Sequence, residues 1–309
     1  MPLMHAVRVH AFGGPDALNY EAIEVPECGP GEILVQVKGA GVGPWDAWVR
    51  AGESAVPQPL PLIPGSDVAG IVLAVGADVF GMSSGDEVFG ATNSRFTNGY
   101  AECALCEAGM LAPKPRSLSF VEAASAPVIA VTAWQMLFDH AGLTKGDAVL
   151  IHGAAGNVGS YAVQLARQAG LRIVATASPK HDERLRALGA DTIVDPSSPP
   201  STTVNAVIDL AGGESQDMLL GWLGPRGKLI SAVREPDTVR ALEQGIHAAF
   251  ILVDVQTAVL RKLSALFDRG ELKPWVGAVL PLAEAVQAHE MLASALPRPE
   301  GKIVLVPAE

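Results

Sequence analysis

The stretch Val149-Leu-Ile-His-Gly-Ala-Ala-Gly-Asn-Val-Gly159 decides how the rest of the chain is read. An apolar run ends at His152, small residues fill a turn, and a helical pattern begins near Val158. The dinucleotide fingerprint G-x-G-x-x-G falls here as Ala154-x-Gly156-x-x-Gly159. The first position needs a small residue for a tight turn. The second lets backbone approach a pyrophosphate, and the third lets the helix pack close on the strand. The helix start then offers N–H groups and a positive dipole end to phosphate. Ala155, Gly156, Asn157, Val158 and Gly159 are therefore candidate pyrophosphate contacts. A glycine-rich turn between any strand and helix would look similar, and only the pattern of the residues beyond Gly159 separates the two readings.

Downstream, apolar runs at residues 172–177, 191–194, 206–210 and 228–233 alternate with helical patterns at 158–169, 180–188 and around 215–223. Continuous β-branched runs separated by helices predict a parallel sheet buried on both faces, the doubly wound α/β arrangement of a Rossmann domain. The second strand bears on cofactor choice. Sites for NAD commonly place an acid at its C-terminal end, on the ribose 2′-OH. Here the strand ends Val174-Ala-Thr-Ala-Ser178 with no acid, and Lys180 follows. A hydroxyl and a cation suit the extra 2′-phosphate of NADPH, although Lys180 could equally be a solvated lysine in a first helical turn.

The first third reads differently. Residues 6–10 and 33–37 alternate like half-buried strands, and 67–75 and 87–90 are short apolar strands. Gly13-Gly14-Pro15, Gly29-Pro30-Gly31 and Ser83-Ser84-Gly85-Asp86 punctuate them as turns. Many short strands at such spacing predict a barrel- or sandwich-like β domain. Helical periodicity begins at 121–124 and returns at 130–141. Beyond Asp254 come helices at 255–269 and 282–292 and a strand at 302–306, while 197–203 reads as a loop.

With 309 residues the chain is long enough for two domains. A hydrophobic content of 49% against 18% charged residues argues against disorder. A formal net charge of −11 disfavours nucleic acid and anionic membrane surfaces as partners. No signal peptide is read at the N-terminus and no apolar stretch is long enough for a membrane helix. The three cysteines fit a reducing compartment, so a cytoplasmic protein is expected.

Other chemistries fit the residues less well. Cys103-Ala-Leu-Cys106 looks like half a zinc site but lacks a second pair of ligands, and reads as structural cysteine. None of Tyr20, Tyr100 and Tyr161 is followed by a lysine four residues later, which removes the short-chain dehydrogenase arrangement. Gly-x-Ser-x-Gly is absent. His152 reads as a packing residue. No metal ligand set is expected.

Taken together, several motifs resemble the zinc-free quinone oxidoreductases (zeta-crystallin-like) of the medium-chain dehydrogenase/reductase superfamily. They are Gly29-Pro-Gly-Glu-Ile-Leu-Val, Pro64-Gly-Ser-Asp-Val-Ala-Gly70, Gly85-Asp-Glu-Val, Thr132-Ala-Trp, the 149–159 turn and Gly301-Lys-Ile-Val, spread over essentially the whole chain. The resemblance implies a GroES-like β-rich domain, 1–124 completed by 255–309, and a Rossmann NADPH-binding domain, 125–254. It implies hydride transfer from NADPH to a small molecule, a quinone or an α,β-unsaturated carbonyl, without zinc, in a homodimer. It places Thr132 near the nicotinamide, with Ala211, Ser231, Phe250 and Leu252 bordering the cofactor. Zinc-dependent relatives carry a cysteine near Gly43 and a histidine within the segment matching Pro64–Gly70; this chain has neither.

Two departures stand out. The quinone reductases usually read N-P-x-D where this chain has Gly43-Pro44-Trp45-Asp46. Glycine is expected to remove an amide and open space in the acceptor pocket, which favours an enone. Gly43, Trp48 and Asp46 are the pocket candidates, Asp46 being either a polar catalytic group or a turn cap. Asn157 stands where a second loop glycine is usual, and asparagine tolerates a left-handed backbone. Two alternatives remain: an enoyl-thioester reductase, and a non-catalytic NADPH-binding or structural protein of the same fold.

Overall fold

A computed structural model describes residues 2–195, 197, 202–213 and 216–308. The chain divides into two compact units, Met1–Val128 with Val255–Glu309, and Ile129–Asp254. The loop expected at 197–203 and the Ser215 start of a helix lie partly outside the described residues.

The second unit is built on six strands whose pairings are all parallel. In space they run Thr192–Val194, Arg172–Thr176, Ala148–His152, Val204–Asp209, Leu223–Ser231, His247–Phe250. Numbered along the chain this is 3-2-1-4-5-6, the doubly wound order, which reverses between Ala148–His152 and Val204–Asp209. Val149, Leu150 and Ile151 are fully buried, as a strand covered on both faces requires. Helix Asn157–Gln168 follows the first strand and buries Tyr161, Val163 and Leu165. The pattern at 180–188 resolves into a 3₁₀ turn, Pro179–His181, and a helix, Asp182–Leu188. That around 215–223 is a short helix, Gln216–Leu219, and a 3₁₀ turn. Strand His247–Phe250 carries no β-branched residue, so periodicity alone does not reveal it.

The first unit is β-rich. Strand Glu32–Val42 pairs antiparallel with Asp67–Val75, Cys103–Glu107 and Lys302–Val306. The sheet extends through Glu87–Ala91 and Leu111–Pro113 on one side and Val276–Pro281 on the other. Leu3–Val9 and Leu18–Glu24 form a separate hairpin-like pair. Alternate residues Ile33, Val35 and Val37 of the long strand enter a core with Val68, Val72 and Leu305. Strand Lys302–Val306 brings the end of the chain back beside its beginning, through Ile303↔Val42 and Leu305↔Ala40. Helix Pro44–Ala51, which periodicity missed, starts with proline at its first position and ends at Gly52 in the left-handed conformation, φ +77°. Among the described residues no helix is long and apolar enough to cross a membrane.

Candidate active site

The turn after Ala148–His152 behaves as its sequence requires. Ala154 is fully buried at the tight bend, and Gly153 takes the left-handed backbone, φ +82°. A Cβ on Gly156 would meet only the Gly153 carbonyl at 3.4 Å, so this face of the backbone is open to a ligand. A Cβ on Gly159 would instead overlap the backbone of Gly153 and Ala154, so helix Asn157–Gln168 packs against the turn through glycine alone. Asn157 is the first residue of this helix and is not among the left-handed residues. The expectation that asparagine is tolerated for its left-handed backbone is therefore corrected: Gly153 carries that conformation.

Side chains missed in the sequence hold the turn. The Thr176 hydroxyl accepts from Gly153 N–H at 3.2 Å and shares a 2.8 Å bond with His152 Nδ1. His152 is buried and burial lowers its pKa, Asp209 opposing, so a neutral packing imidazole results. Arg184, on helix Asp182–Leu188, donates to the Ala155 carbonyl at 2.7 Å and to Ser160 Oγ at 2.8 Å. At the reversal of the sheet, fully buried Asp209 accepts from the N–H groups of Ala211 and Gly212, from Gln216 Nε2 at 2.9 Å and from Ser231 Oγ at 3.0 Å. Ser231 also accepts from Val233 and Arg234 N–H, so its hydroxyl is engaged with the protein.

The structure brings the nucleotide candidates to the C-terminal ends of successive parallel strands: 155–159, Ser178 and Lys180, Ala211, Ser231, Phe250 and Leu252. Ser178, Lys180, Ala211 and Leu252 are exposed, and Phe250 borders on it. Thr132 is buried within helix Pro127–Trp134 and is not at a strand end. Open backbone at Gly156, close packing at Gly159 and the exposed polar side chains of Ser178 and Lys180 fit a phosphate-bearing dinucleotide.

In the first unit Asp46 caps helix Pro44–Ala51: its Oδ2 accepts from Gly43 N–H at 2.8 Å and from Tyr100 O–H at 2.9 Å. Oδ1 is buried with no hydrogen-bond partner. Burial pushes its pKa up to about 7, against the Gly43 bond and the charge of Lys302. Tyr100 leads on to His289, Nε2 to hydroxyl 3.3 Å, and His289 Nδ1 stands 2.8 Å from Arg50 Nη1. Arginine can only donate, so Nδ1 accepts and Nε2 carries the proton. Burial and Arg50 push the His289 pKa down to about 3 and keep the ring neutral.

Beside this chain lies a buried ion pair. Lys302 Nζ bonds Asp67 Oδ2 at 2.8 Å, and Asp67 Oδ1 accepts from Val128 N–H at 2.8 Å. Lys302 also lies 4.4 Å from the centroid of Trp45, whose Nε1–H donates to Ser66 Oγ at 2.9 Å. The only sequence signal for this pair is two opposite charges in otherwise apolar strands. The structure corrects one expectation: Gly43 opens no space, because a Cβ there would overlap three atoms of the Trp45 ring. Trp48, the other pocket candidate, is 49% exposed. Among the described residues no group of three His, Cys, Asp or Glu could hold a metal ion, and the cysteines are free.

Fold and nucleotide turn together define a two-unit dehydrogenase/reductase. Residues 29–137 match the alcohol dehydrogenase GroES-like domain family, and residues 188–305 the zinc-binding dehydrogenase family. The chain belongs to the quinone oxidoreductase family of the medium-chain dehydrogenase/reductase superfamily. It is 31% identical to a quinone oxidoreductase of Mus musculus, over 93% of each chain. It is 32% identical to a 2-methylene-furan-3-one reductase of Solanum lycopersicum, over 96% of this chain and 77% of the other. The solved quinone oxidoreductase of Coxiella burnetii superposes with a TM-score of 0.89 at 32% identity, over 99% of both chains.

Proposed function

We propose that this protein is an NADPH-dependent, zinc-independent reductase of a quinone or an α,β-unsaturated carbonyl. The observation that carries the reading is the nucleotide turn, with Gly156 open and Gly159 closed against the strand, followed by a second strand that ends without an acid. The first-turn amides of helix Asn157–Gln168 hold the pyrophosphate, and Ser178 and Lys180 take the 2′-phosphate. Arg184 holds that turn by bonding the Ala155 carbonyl. Thr132, Ala211, Phe250 and Leu252 line the remainder of the cofactor, and Ser231 acts through Asp209 on the loop beyond it.

A nicotinamide cofactor, when bound, would supply the hydride. The protein orients the acceptor at the Gly43 turn and excludes water from it. Asp46 acts there as a positioning residue, since its carboxylate holds the Gly43 amide and helix Pro44–Ala51. The name of the tomato relative supports an enone as one acceptor and the mouse and Coxiella names a quinone. Resemblance supports a homodimer, and the three cysteines support a reducing, cytoplasmic setting.

The test is NADPH oxidation by chelator-treated protein with a quinone and a simple enone in parallel, and NADH as control. Turnover of either acceptor with NADPH, undiminished by the chelator, supports the reading. NADPH binding without turnover moves it to a non-catalytic NADPH-binding protein. A Ser178→Ala, Lys180→Ala double variant should lose most of its preference for NADPH over NADH; unaltered preference sinks the 2′-phosphate assignment.

A further inference from the structure

We infer that Gln135 is a positioning residue for the nicotinamide half of the cofactor: its side-chain amide fixes the backbone that follows the last strand of the second unit. This rests on the proposed dinucleotide site. Strand His247–Phe250 stands at one end of the six-stranded sheet, and beyond it residues 251–256 take no regular secondary structure. Ile251 still continues the sheet, since its N–H donates to the Ser231 carbonyl at 2.9 Å. Asp254 is then held through both of its backbone groups. Its N–H donates to Gln135 Oε1 at 3.1 Å, and its carbonyl accepts from Gln135 Nε2 at 2.7 Å. Gln135 is 6% exposed and lies 119 positions away in sequence.

A primary amide carries a donor and an acceptor side by side, as a peptide group does. Here it does for Asp254 what a neighbouring strand does within a sheet, satisfying N–H and C=O together. The segment is therefore ordered before a ligand arrives, and binding does not have to order it. Its place gives that order a use. A dinucleotide crosses the C-terminal edge of such a sheet where the strand order reverses, with its adenine ribose at the end of the second strand. Ser178 and Lys180 follow that strand, Arg172–Thr176. The nicotinamide half then falls to the ends of Val204–Asp209, Leu223–Ser231 and His247–Phe250. Leu252, 64% exposed, stands between the anchors at Ile251 and Asp254 and offers the ring a fixed apolar contact. Gln135 also opens a π-helical stretch, Gln135–His140, and such widened turns are frequent at functional sites.

The experiment measures, on the full-length protein, calorimetric affinity for NADPH and for adenosine 2′,5′-bisphosphate, which carries the 2′-phosphate half and no nicotinamide. Gln135→Met keeps the length of the side chain and removes both hydrogen bonds. It should weaken NADPH by about three- to tenfold and leave the fragment within about twofold, because the fragment's contacts lie elsewhere. Gln135→Glu keeps the shape, and its carboxylate has no donor for the Asp254 carbonyl, so NADPH should weaken in the same direction. It carries the comparison should Gln135→Met fail to fold, which thermal midpoints without ligand reveal. Unchanged NADPH affinity overturns the inference. So does an equal loss for NADPH and the fragment, which is what a merely structural amide would give. A wild type without affinity for either ligand instead fails the dinucleotide reading, and the inference with it.

Discussion

In the nucleotide turn, backbone does the work: Gly153 bends, Gly156 stays bare, and Gly159 lets a helix close on a strand within a single short loop. Around Gly43 the work falls to side chains far apart in sequence. Arg50 meets His289 across 239 positions and Asp67 meets Lys302 across 235. The first site is a local motif whose bend, open face and close packing each rest on a glycine. The second is a buried polar layer in which each side chain bonds another, with only Asp46 Oδ1 left without a partner among the described residues. Losing one member strands its partner away from water, where an unmatched polar or charged group is costly.

That contrast breaks most sharply at Lys302. Lys302→Met removes the ammonium and leaves Asp67 buried without its counter-charge, so a loss of about 3–5 kcal/mol is expected. Chemical unfolding of the first unit, followed by tryptophan fluorescence, measures it. Adding Asp67→Asn to Lys302→Met should recover part of the loss, because the stranded charge is gone. A single variant of wild-type stability would mean that Asp67 reaches water and the layer is not closed.

Asp46 tests the same layer through pH. Its pKa is raised to about 7 by burial, whereas the unfolded chain holds it near the ordinary aspartate value of about 4. Between those limits the folded state keeps a proton that the unfolded state has lost. Stability from this group is full below about pH 4 and is lost as pH rises to about 7. Asp46→Asn should remove this contribution: the gap between variant and wild type should shift in the variant's favour from pH 4 to pH 8, on the order of a few kcal/mol. Thermal midpoints across that range read it, and parallel pH profiles of the two proteins would contradict the buried, raised carboxyl.

Much of this protein is legible in its sequence, and the boundary follows range. The alternation of strands and helices in the second unit and the nucleotide turn are local patterns, and glycine spacing states its purpose within eleven residues, 149–159. The polar layer is not local. Ser66, Asp67 and Lys302 stand inside recognisable motifs, yet nothing in either motif says that the two charges bond. Trp45 shows why a deletion read in isolation misleads: glycine at 43 suggests a vacancy, and the indole two residues on fills it. Strand His247–Phe250 and helix Pro44–Ala51 are hidden for a simpler reason: they are short, and the face the helix buries carries Asp46 and Arg50 beside Val49, which an apolar pattern does not pick out.

On the nucleotide side, Gly159→Ala should cost about 1–3 kcal/mol, because the added methyl meets backbone that cannot step aside. NADPH affinity should fall with it, as the helix start moves from the turn. Gly156→Ala has an open face and should keep its stability while losing NADPH affinity. Calorimetric titration beside a thermal scan separates the two. Equal stability losses would erase the distinction between the packing glycine and the ligand-facing one.

The smallest effect distinguishes two accounts of Asn157. If asparagine were held in a left-handed backbone, Asn157→Gly would relieve strain and raise stability by about 1 kcal/mol. The structure puts residue 157 at the start of the helix Asn157–Gln168, outside the left-handed set. Glycine there adds backbone freedom to the unfolded chain and weakens the helix, so a loss of up to about 1 kcal/mol is expected instead. The sign of the change in unfolding midpoint, more than its size, tells which residue carries the turn. A gain would move the bend from Gly153 to Asn157 and make the nucleotide loop depend on a side chain, as the layer around Gly43 does.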